Sequence, residues 1–426
     1  MKQSRRYDTS QPLLDVYLHG RLIGHIGHHS SDLWFQYRPE IHEAADAERF
    51  LISVRLPVQP EPFTHEETIG FFDNLLLEEG LRDALARATR HDRRDTAGLL
   101  GLVGGECAGA VSVWPHGMAP PEPPRYRTCE PGQLEELFAT AHGTLLTRAQ
   151  LESRQSMSGA QDKLVFRRLG QRYELPLGGA PGNVLLKRPS PRYDGLVQNE
   201  LAGQWLARAL GIPAAETRAA GGATPLLESV RFDRYVGEDS GIRRLHQEDF
   251  CQALGRPPIR KYQAQNGPGF ADISRILRAH SANPAEDLDL LIKAAILNIC
   301  LGNEDAHAKN FALLYTDHGL RLAPLYDVLS TEVYDELTRG YAMYVGTAHR
   351  ASQLDGVALA RFARDVEVGL AVVHGVIEEM TARLPAEWER VRVAVAEAAG
   401  EDAVLERMAH TIEANTARLQ GAASKR

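Results

Sequence analysis

An α+β fold in two lobes is what this sequence predicts: the first half reads as short β-runs, the second as long amphipathic helices. Three observations lead there. The chain has 426 residues, too many for one ordinary core. Short apolar runs bounded by turn residues crowd the stretch before Gln247. Beyond Gln247 the apolar residues recur at helical spacing over long segments.

The elements follow in order. Leu14 to Gly27, LDVYLHGRLIGHIG, reads as a hairpin turning at His19-Gly20. Phe71 to Arg87 has helical spacing, with Asp73 and Asn74 near its start, and the Gly-rich apolar run Leu99 to Trp114 suits packed strands and tight turns. Pro115 to Pro131 holds six prolines in 17 residues, so no regular element is expected there and a domain boundary is. Gln133 to Gln150 reads as helix; Leu164 to Phe166, Tyr173 to Leu175 and Asn183 to Lys187 as strands; Leu196 to Leu210 as helix; Leu226 to Phe232 as strand. Helices are then expected at Leu288 to Leu301, Leu359 to Leu384, Trp388 to Ala399 and Ala403 to Leu419.

Composition excludes several functions. A net charge of −8 argues against a protein that grips nucleic acid chiefly by its backbone; the Arg-rich stretch Arg87 to Arg94 is the best candidate for a local basic face, against the favoured reading of a solvated helix face beside a turn. The longest apolar run, Leu290 to Leu301, is interrupted by Lys293 and Asn298 and cannot span a bilayer. Met1 to Pro12 lacks an apolar signal core, and Cys107, Cys129, Cys251 and Cys300 form no CxxC pair, so a reducing, cytoplasmic setting is expected. His25, His28 and His307 have no HExxH helix or supporting acid in the sequence, and a metal-hydrolase reading is set aside.

Phosphoryl transfer needs a cation for phosphates, oxygen ligands for Mg²⁺ and a carboxylate to receive the acceptor proton. Gly302 to Asn310, GNEDAHAKN, follows a buried apolar helix and precedes a strand-like run. Within it Asp305 and Asn310 are five apart, the spacing of catalytic Asp and metal-binding Asn in the protein-kinase loop HRDxxxxN. Seventeen residues on, beyond the hairpin-like stretch Phe311 to Pro324, Asp327 occupies the position of a second metal ligand, followed by Val-Leu rather than Phe-Gly. One amide and one carboxylate suffice for Mg²⁺, which keeps several waters. Upstream, Lys187 ends an apolar run and Glu200 follows 13 residues later, as a strand lysine and its helix glutamate would. The Ser/Gly/Ala-rich loop Ser156 to Lys163 could bring backbone N–H groups close to phosphates, although no Walker A loop occurs in the chain.

Taken together, these segments resemble the HipA family of toxin kinases. The resemblance rests on FFDNLL (Phe71 to Leu76), SMSGAQDK (Ser156 to Lys163), NVLLK (Asn183 to Lys187), Asn199-Glu200, RFDR (Arg231 to Arg234), LHQEDFCQALG (Leu245 to Gly255), KYQAQNGPG (Lys261 to Gly269), GNEDAHAKNF (Gly302 to Phe311) and LYDVLS (Leu325 to Ser330). It implies a two-lobed protein-kinase-like fold: an extra N-terminal β-rich subdomain (13–114), an N-lobe (133–235) and an all-helical C-terminal lobe (236–420). It implies ATP and Mg²⁺ as cofactors and Asp305 as catalytic base. Asn310 and Asp327 would hold the metal, Lys187 with its partner Glu200 the phosphates. Gly159, Ala160, Arg231, Phe232, His307, Lys309 and Asn310 would lie at the nucleotide, with Arg231 to Asp233 near the hinge. Val230 stands where the family's best-known member has glutamate, which leaves backbone hinge contacts unaffected. Self-phosphorylation would fall on Ser156, with Ser158 as second candidate, and silence the kinase. The implied target is an aminoacyl-tRNA synthetase. The implied partner is a HipB-like helix-turn-helix antitoxin that carries most of the contact with operator DNA. Tyr341 to Arg350 could face the substrate. A small-molecule kinase and a non-catalytic, antitoxin-bound corepressor are the competing readings.

Overall fold

The computed structural model describes residues 8–43, 51–139, 144–159, 161–189, 192–221, 225–337 and 340–424. The chain divides into two compact units, Met1–Leu185 with Asp233–Pro258, and Leu186–Phe232 with Ile259–Arg426. Among the described residues no helix is long and apolar enough to cross a membrane.

In the first unit the expected hairpin is formed by β1 (Pro12–Leu18) and β2 (Arg21–His29). His19 and Gly20 both have positive φ, 50° and 79°, as a two-residue turn matched to strand twist requires. With β3 (Asp32–Tyr37) and β4 (Val111–Pro115) the strands form a sheet in the order β3-β2-β1-β4, each pair antiparallel. One face is closed by aromatic packing, Phe35 stacking on Phe63 at 5.9 Å and meeting Phe72 at 5.2 Å.

The helices α1 (Pro39–His42), α2 (His65–Phe72), α3 (Glu79–Thr89) and α4 (Thr96–Val103) fill the space between β3 and β4 in sequence. They correct two expectations. Phe71 to Arg87 is not one helix: α2 tightens into a 3₁₀ turn at Asp73–Leu75, and Leu76 is extended. The side chains of that turn are committed elsewhere, Asn74 donating to the Gly70 and Arg256 carbonyls and Asp73 accepting from Arg82 and Thr96. Leu99 to Trp114 is not all strand and turn either. Asp95 caps α4 through the Gly98 N–H, so an apolar run that periodicity leaves ambiguous becomes a buried helix.

A third correction concerns the proline-rich stretch, where Arg125–Cys129 forms β5 and pairs residue for residue with β7 (Arg172–Leu177). The prolines stop at Pro124 and resume at Pro131, leaving six consecutive residues able to donate to a neighbouring strand. After α5 (Pro131–Ala139) and α6 (Thr144–Ser153), β6 (Lys163–Leu169) forms where a strand is expected and pairs with β7. β8 (Val184–Lys187) then carries the chain into the second unit, where α7 (Leu196–Ala209) is followed by β9 (Thr217–Ala220) and β10 (Leu226–Val230).

The chain re-enters the first unit at Asp233 with β11 (Arg234–Val236), β12 (Ile242–Arg244), β13 (His246–Asp249) and α8 (Phe250–Ala253). Here His246 is buried, its Nε2–H donating to the Ile52 carbonyl at 2.8 Å and its Nδ1 accepting from the Ala110 N–H at 3.3 Å. Burial, with His19 and Arg234 nearby, pushes its pKa from 6.5 down to about 4 against the opposing Ile52 bond and Asp233 charge. The folded imidazole stays neutral while the unfolded one takes a proton below about pH 6.5, so stability falls as pH drops from there towards 4. The full effect is up to roughly 3 kcal/mol. Urea midpoints of the full chain should fall between pH 7 and pH 5, and His246→Gln should flatten that slope; an unchanged slope counts against the assignment.

The rest of the second unit holds α9 (Phe270–His280), α10 (Pro284–Leu301), the hairpin β14 (Ala312–Thr316) and β15 (Gly319–Leu322), then α11 (Gly356–Asp365), α12 (Leu370–Ala399) and α13 (Ala403–Ser424). The hairpin corrects the words "all-helical", and it occupies the stretch expected from Phe311 to Pro324. The break expected between Leu384 and Trp388 lies instead between α11 and α12, where Glu367 takes φ +56°. Pro385 stays inside α12, where burial of Leu384 and Trp388 on either side outweighs one missing donor.

Candidate active site

Lys187, the last residue of β8, is buried, and its ammonium donates to Glu200 Oε1 at 2.6 Å and to Asp327 Oδ1. Glu200 lies on the second turn of α7, itself buried. Burial alone would lower the Lys187 pKa, but the Asp327 and Glu200 carboxylates outweigh it and hold the pKa above its usual value. The lysine is therefore a fixed positive charge at any physiological pH.

α7 also sets the position of Asp327. Asn199 Nδ2 donates to the Ser330 carbonyl and its Oδ1 accepts from the Ser330 N–H, both at 2.7 Å. Gly203 lets the helix close on that segment, since a Cβ there would lie 2.2 Å from the Val328 carbonyl oxygen. On the other side Leu325 bridges Ala214: its N–H donates to the Pro213 carbonyl and its carbonyl accepts from the Ala215 N–H. Held at both ends, Asp327 adopts φ +53°, a left-handed conformation uncommon outside glycine. Constrained backbone of this kind clusters at functional sites.

The loop with Asp305 begins where α10 stops. Gly302 is left-handed at φ +64°, and a Cβ there would meet Glu332 Oε2 at 2.5 Å. Its carbonyl accepts from the N–H groups of Thr331 and Glu332, and the Thr331 hydroxyl accepts from the Glu304 N–H at 2.8 Å. The loop is thus tied to the segment just after Asp327. Asp305 is nearly half exposed, at 47% of its side chain, so an incoming group can reach it. The Tyr262 hydroxyl donates to Asp305 Oδ1, and the Tyr262 ring packs edge-on against buried His307 with centroids 5.2 Å apart.

Asn310 Nδ2 donates to the Asp305 carbonyl at 2.9 Å, which turns the amide oxygen the other way. Tyr326 donates its hydroxyl to the Lys309 carbonyl at 2.6 Å, so the residues preceding Asn310 and Asp327 are joined directly. One amide oxygen and one carboxylate brought together beside a lysine suit a hard, oxygen-seeking cation such as Mg²⁺ with a phosphate chain. Lys309 and Arg231 are buried, and the Phe232 ring lies 5.6 Å from that of Tyr326.

Ser156, Ser158 and Gly159 belong to the first unit. Ser156 is fully buried, its Oγ donating to the Leu75 carbonyl at 2.8 Å and accepting from the Leu77 N–H at 3.1 Å. Ser158 donates to Glu78 at 2.5 Å. Gly159 has φ +110°, and a Cβ there would press on Lys163 Nζ. Ala160 lies outside the described residues.

The second unit therefore gathers Lys187, Glu200, Asp327, Asn310, Asp305 and His307, as six of the sequence-derived residues. Sequence reasoning assigned no role to Tyr262, Tyr326 or Asn199. Each lies in a segment quoted above, and only tertiary contacts reveal what it holds.

Residues 155–388 match the family described as HipA-like C-terminal domain, and residues 14–114 the HipA N-terminal domain. The Sinorhizobium fredii protein Y4mE, a kinase by name, is 37% identical over 370 residues, covering 85% of this chain and 87% of its own. The serine/threonine-protein kinase toxin HipA of Shewanella oneidensis is 26% identical over 368 residues, 82% of each chain. A solved structure of that organism's HipA with HipB and operator DNA superposes with a TM-score of 0.81 at 22% identity, covering 96% of both chains.

Proposed function

This chain belongs to the HipA kinase family, and on that premise we propose that it is a Mg²⁺- and ATP-dependent serine/threonine protein kinase. The observation that carries the reading is the buried Lys187 ammonium held between Glu200 and Asp327. Bound Mg²⁺ would neutralise charge on the phosphates. Asn310 and Asp327 would hold it, and Lys187 would pair with phosphate oxygens while Glu200 fixes its direction. Arg231, Phe232, His307 and Lys309 complete the proposed nucleotide site within the second unit.

Asp305 is the proposed base. Tyr262 donates to its Oδ1, so the carboxylate is oriented and Oδ2 is left to receive the proton of an acceptor hydroxyl. Asp305→Ala should lower phosphate transfer on the order of 10²-fold or more. A rate equal to wild type would remove Asp305 from the mechanism.

Self-silencing at Ser156 is part of the same proposal. Its hydroxyl sits between a carbonyl and an N–H with no space for a phosphoryl group, and a phosphate there would face the Leu75 carbonyl at close range. Phosphoserine, with nearly two negative charges, cannot occupy this buried position and would expel the loop. Incubation with Mg·ATP should add one phosphate, mapped to Ser156 and absent in Ser156→Ala; stoichiometric phosphate only at other residues would refute it.

The proposed partner is a HipB-like helix-turn-helix antitoxin, supported by the solved HipA–HipB–operator complex of the Shewanella relative. A net charge of −8 favours leaving most DNA contacts to that partner. The proposed target, an aminoacyl-tRNA synthetase whose phosphorylation arrests growth, rests on the family resemblance.

A further inference from the structure

We propose that Asp15, His25 and His116 form a binding site for one late first-row divalent metal ion of the zinc type, on the β-rich sheet of the first unit. None of the three takes part in the proposed phosphoryl transfer. The sheet brings them together. Asp15 on β1 stands directly opposite His25 on β2 and opposite Trp114 on β4, and His116 follows immediately after β4. His28, grouped with His25 in the sequence reading, is three residues further along the strand and so on its opposite face, and His307 belongs to the second unit. The supporting acid missing from the sequence comes from the neighbouring strand.

Asp15 is buried, and its Oδ2 is taken by the Gly117 N–H at 2.9 Å. Its Oδ1 faces His25 Nδ1 at 2.7 Å and His116 Nδ1 at 2.8 Å. The three ligand atoms lie within 4.8 Å of one another. Two imidazole nitrogens and a carboxylate oxygen are the donor set of zinc and its neighbours, whereas Mg²⁺ and Ca²⁺ prefer oxygen throughout. Tetrahedral bonds of about 2.0–2.1 Å separate ligand atoms by about 3.3 Å, so an ion entering in place of the two ring protons asks for only a small opening. His116 can supply it, since half its side chain is exposed, and the same exposure leaves a fourth position for water.

The test uses the untagged full-length chain stripped with chelator and titrated with Zn²⁺ alone, then with Co²⁺. Wild type should bind one equivalent of zinc tightly and give the visible spectrum of nitrogen- and oxygen-ligated cobalt. His116→Ala alters a half-exposed side chain and should keep the apo melting temperature, yet lose affinity on the order of tenfold or more. His25→Ala should do the same, and Asp327→Ala should retain the zinc equivalent. Absence of tight zinc binding in wild type, or full binding in both histidine variants, would show that the triad is only a hydrogen-bonded polar cluster.

Discussion

Asp327→Ala is expected to lower phosphate transfer on the order of 10²–10³-fold, because it removes a proposed metal ligand and one of the two carboxylates that hold Lys187. The clean readout is the initial rate of phosphate incorporation, with intact mass showing that the single phosphate gained by wild type is missing. Lys187 keeps Glu200 at 2.6 Å in this variant, so the fold should survive and the melting temperature should move little. Lys187→Met should match the loss of rate. It should also destabilise the protein, since it removes the ammonium that pairs with the buried Glu200 carboxylate. Transfer at the wild-type rate in Asp327→Ala would take Asp327 out of the site, whereas no transfer by either protein, with the Ser156 loop unphosphorylated at the start, would favour the non-catalytic corepressor.

Arg234→Met carries the largest expected loss of stability. The guanidinium is fully buried and bonds Glu106 at 2.9 Å, Asp233 at 2.9 Å and the Gly109 and Cys107 carbonyls at 2.8 Å each. Arg244 and the Gly182 N–H also donate to Glu106, so the buried glutamate keeps these partners when Arg234 is lost. Removing one side of a buried charge network is expected to cost about 3–5 kcal/mol. Arg234→Lys should rescue little, since an ammonium cannot reproduce four bonds in one plane. Urea unfolding of the full chain measures both, and a loss no larger than that of an exposed arginine such as Arg243 would contradict the account.

Much of this protein is legible in one dimension. The Asp305, Asn310 and Asp327 series, the Lys187 and Glu200 pair and the β1–β2 hairpin are carried by short-range spacing and turn chemistry, which a linear reading can weigh. The helical errors have a common cause. At Phe71 to Arg87 and at Leu359 to Leu384 the apolar period runs on through breaks that are held by hydrogen bonds to distant parts of the chain or by a single left-handed residue. Strand β5 was hidden because proline density was averaged over a window that contains a proline-free stretch.

The sequence by itself determined which family this chain belongs to and which residues are proposed to carry its chemistry, because those residues sit in contiguous segments whose order the chain cannot alter. Only the tertiary structure decided how they are held. Tyr262 reaches Asp305 across 43 positions, Asn199 reaches Ser330 across 131, and Asp15 meets His116 across 101. Such pairs leave no local pattern, since their hydrogen bonds exist only once sheets and helices have brought distant backbone together.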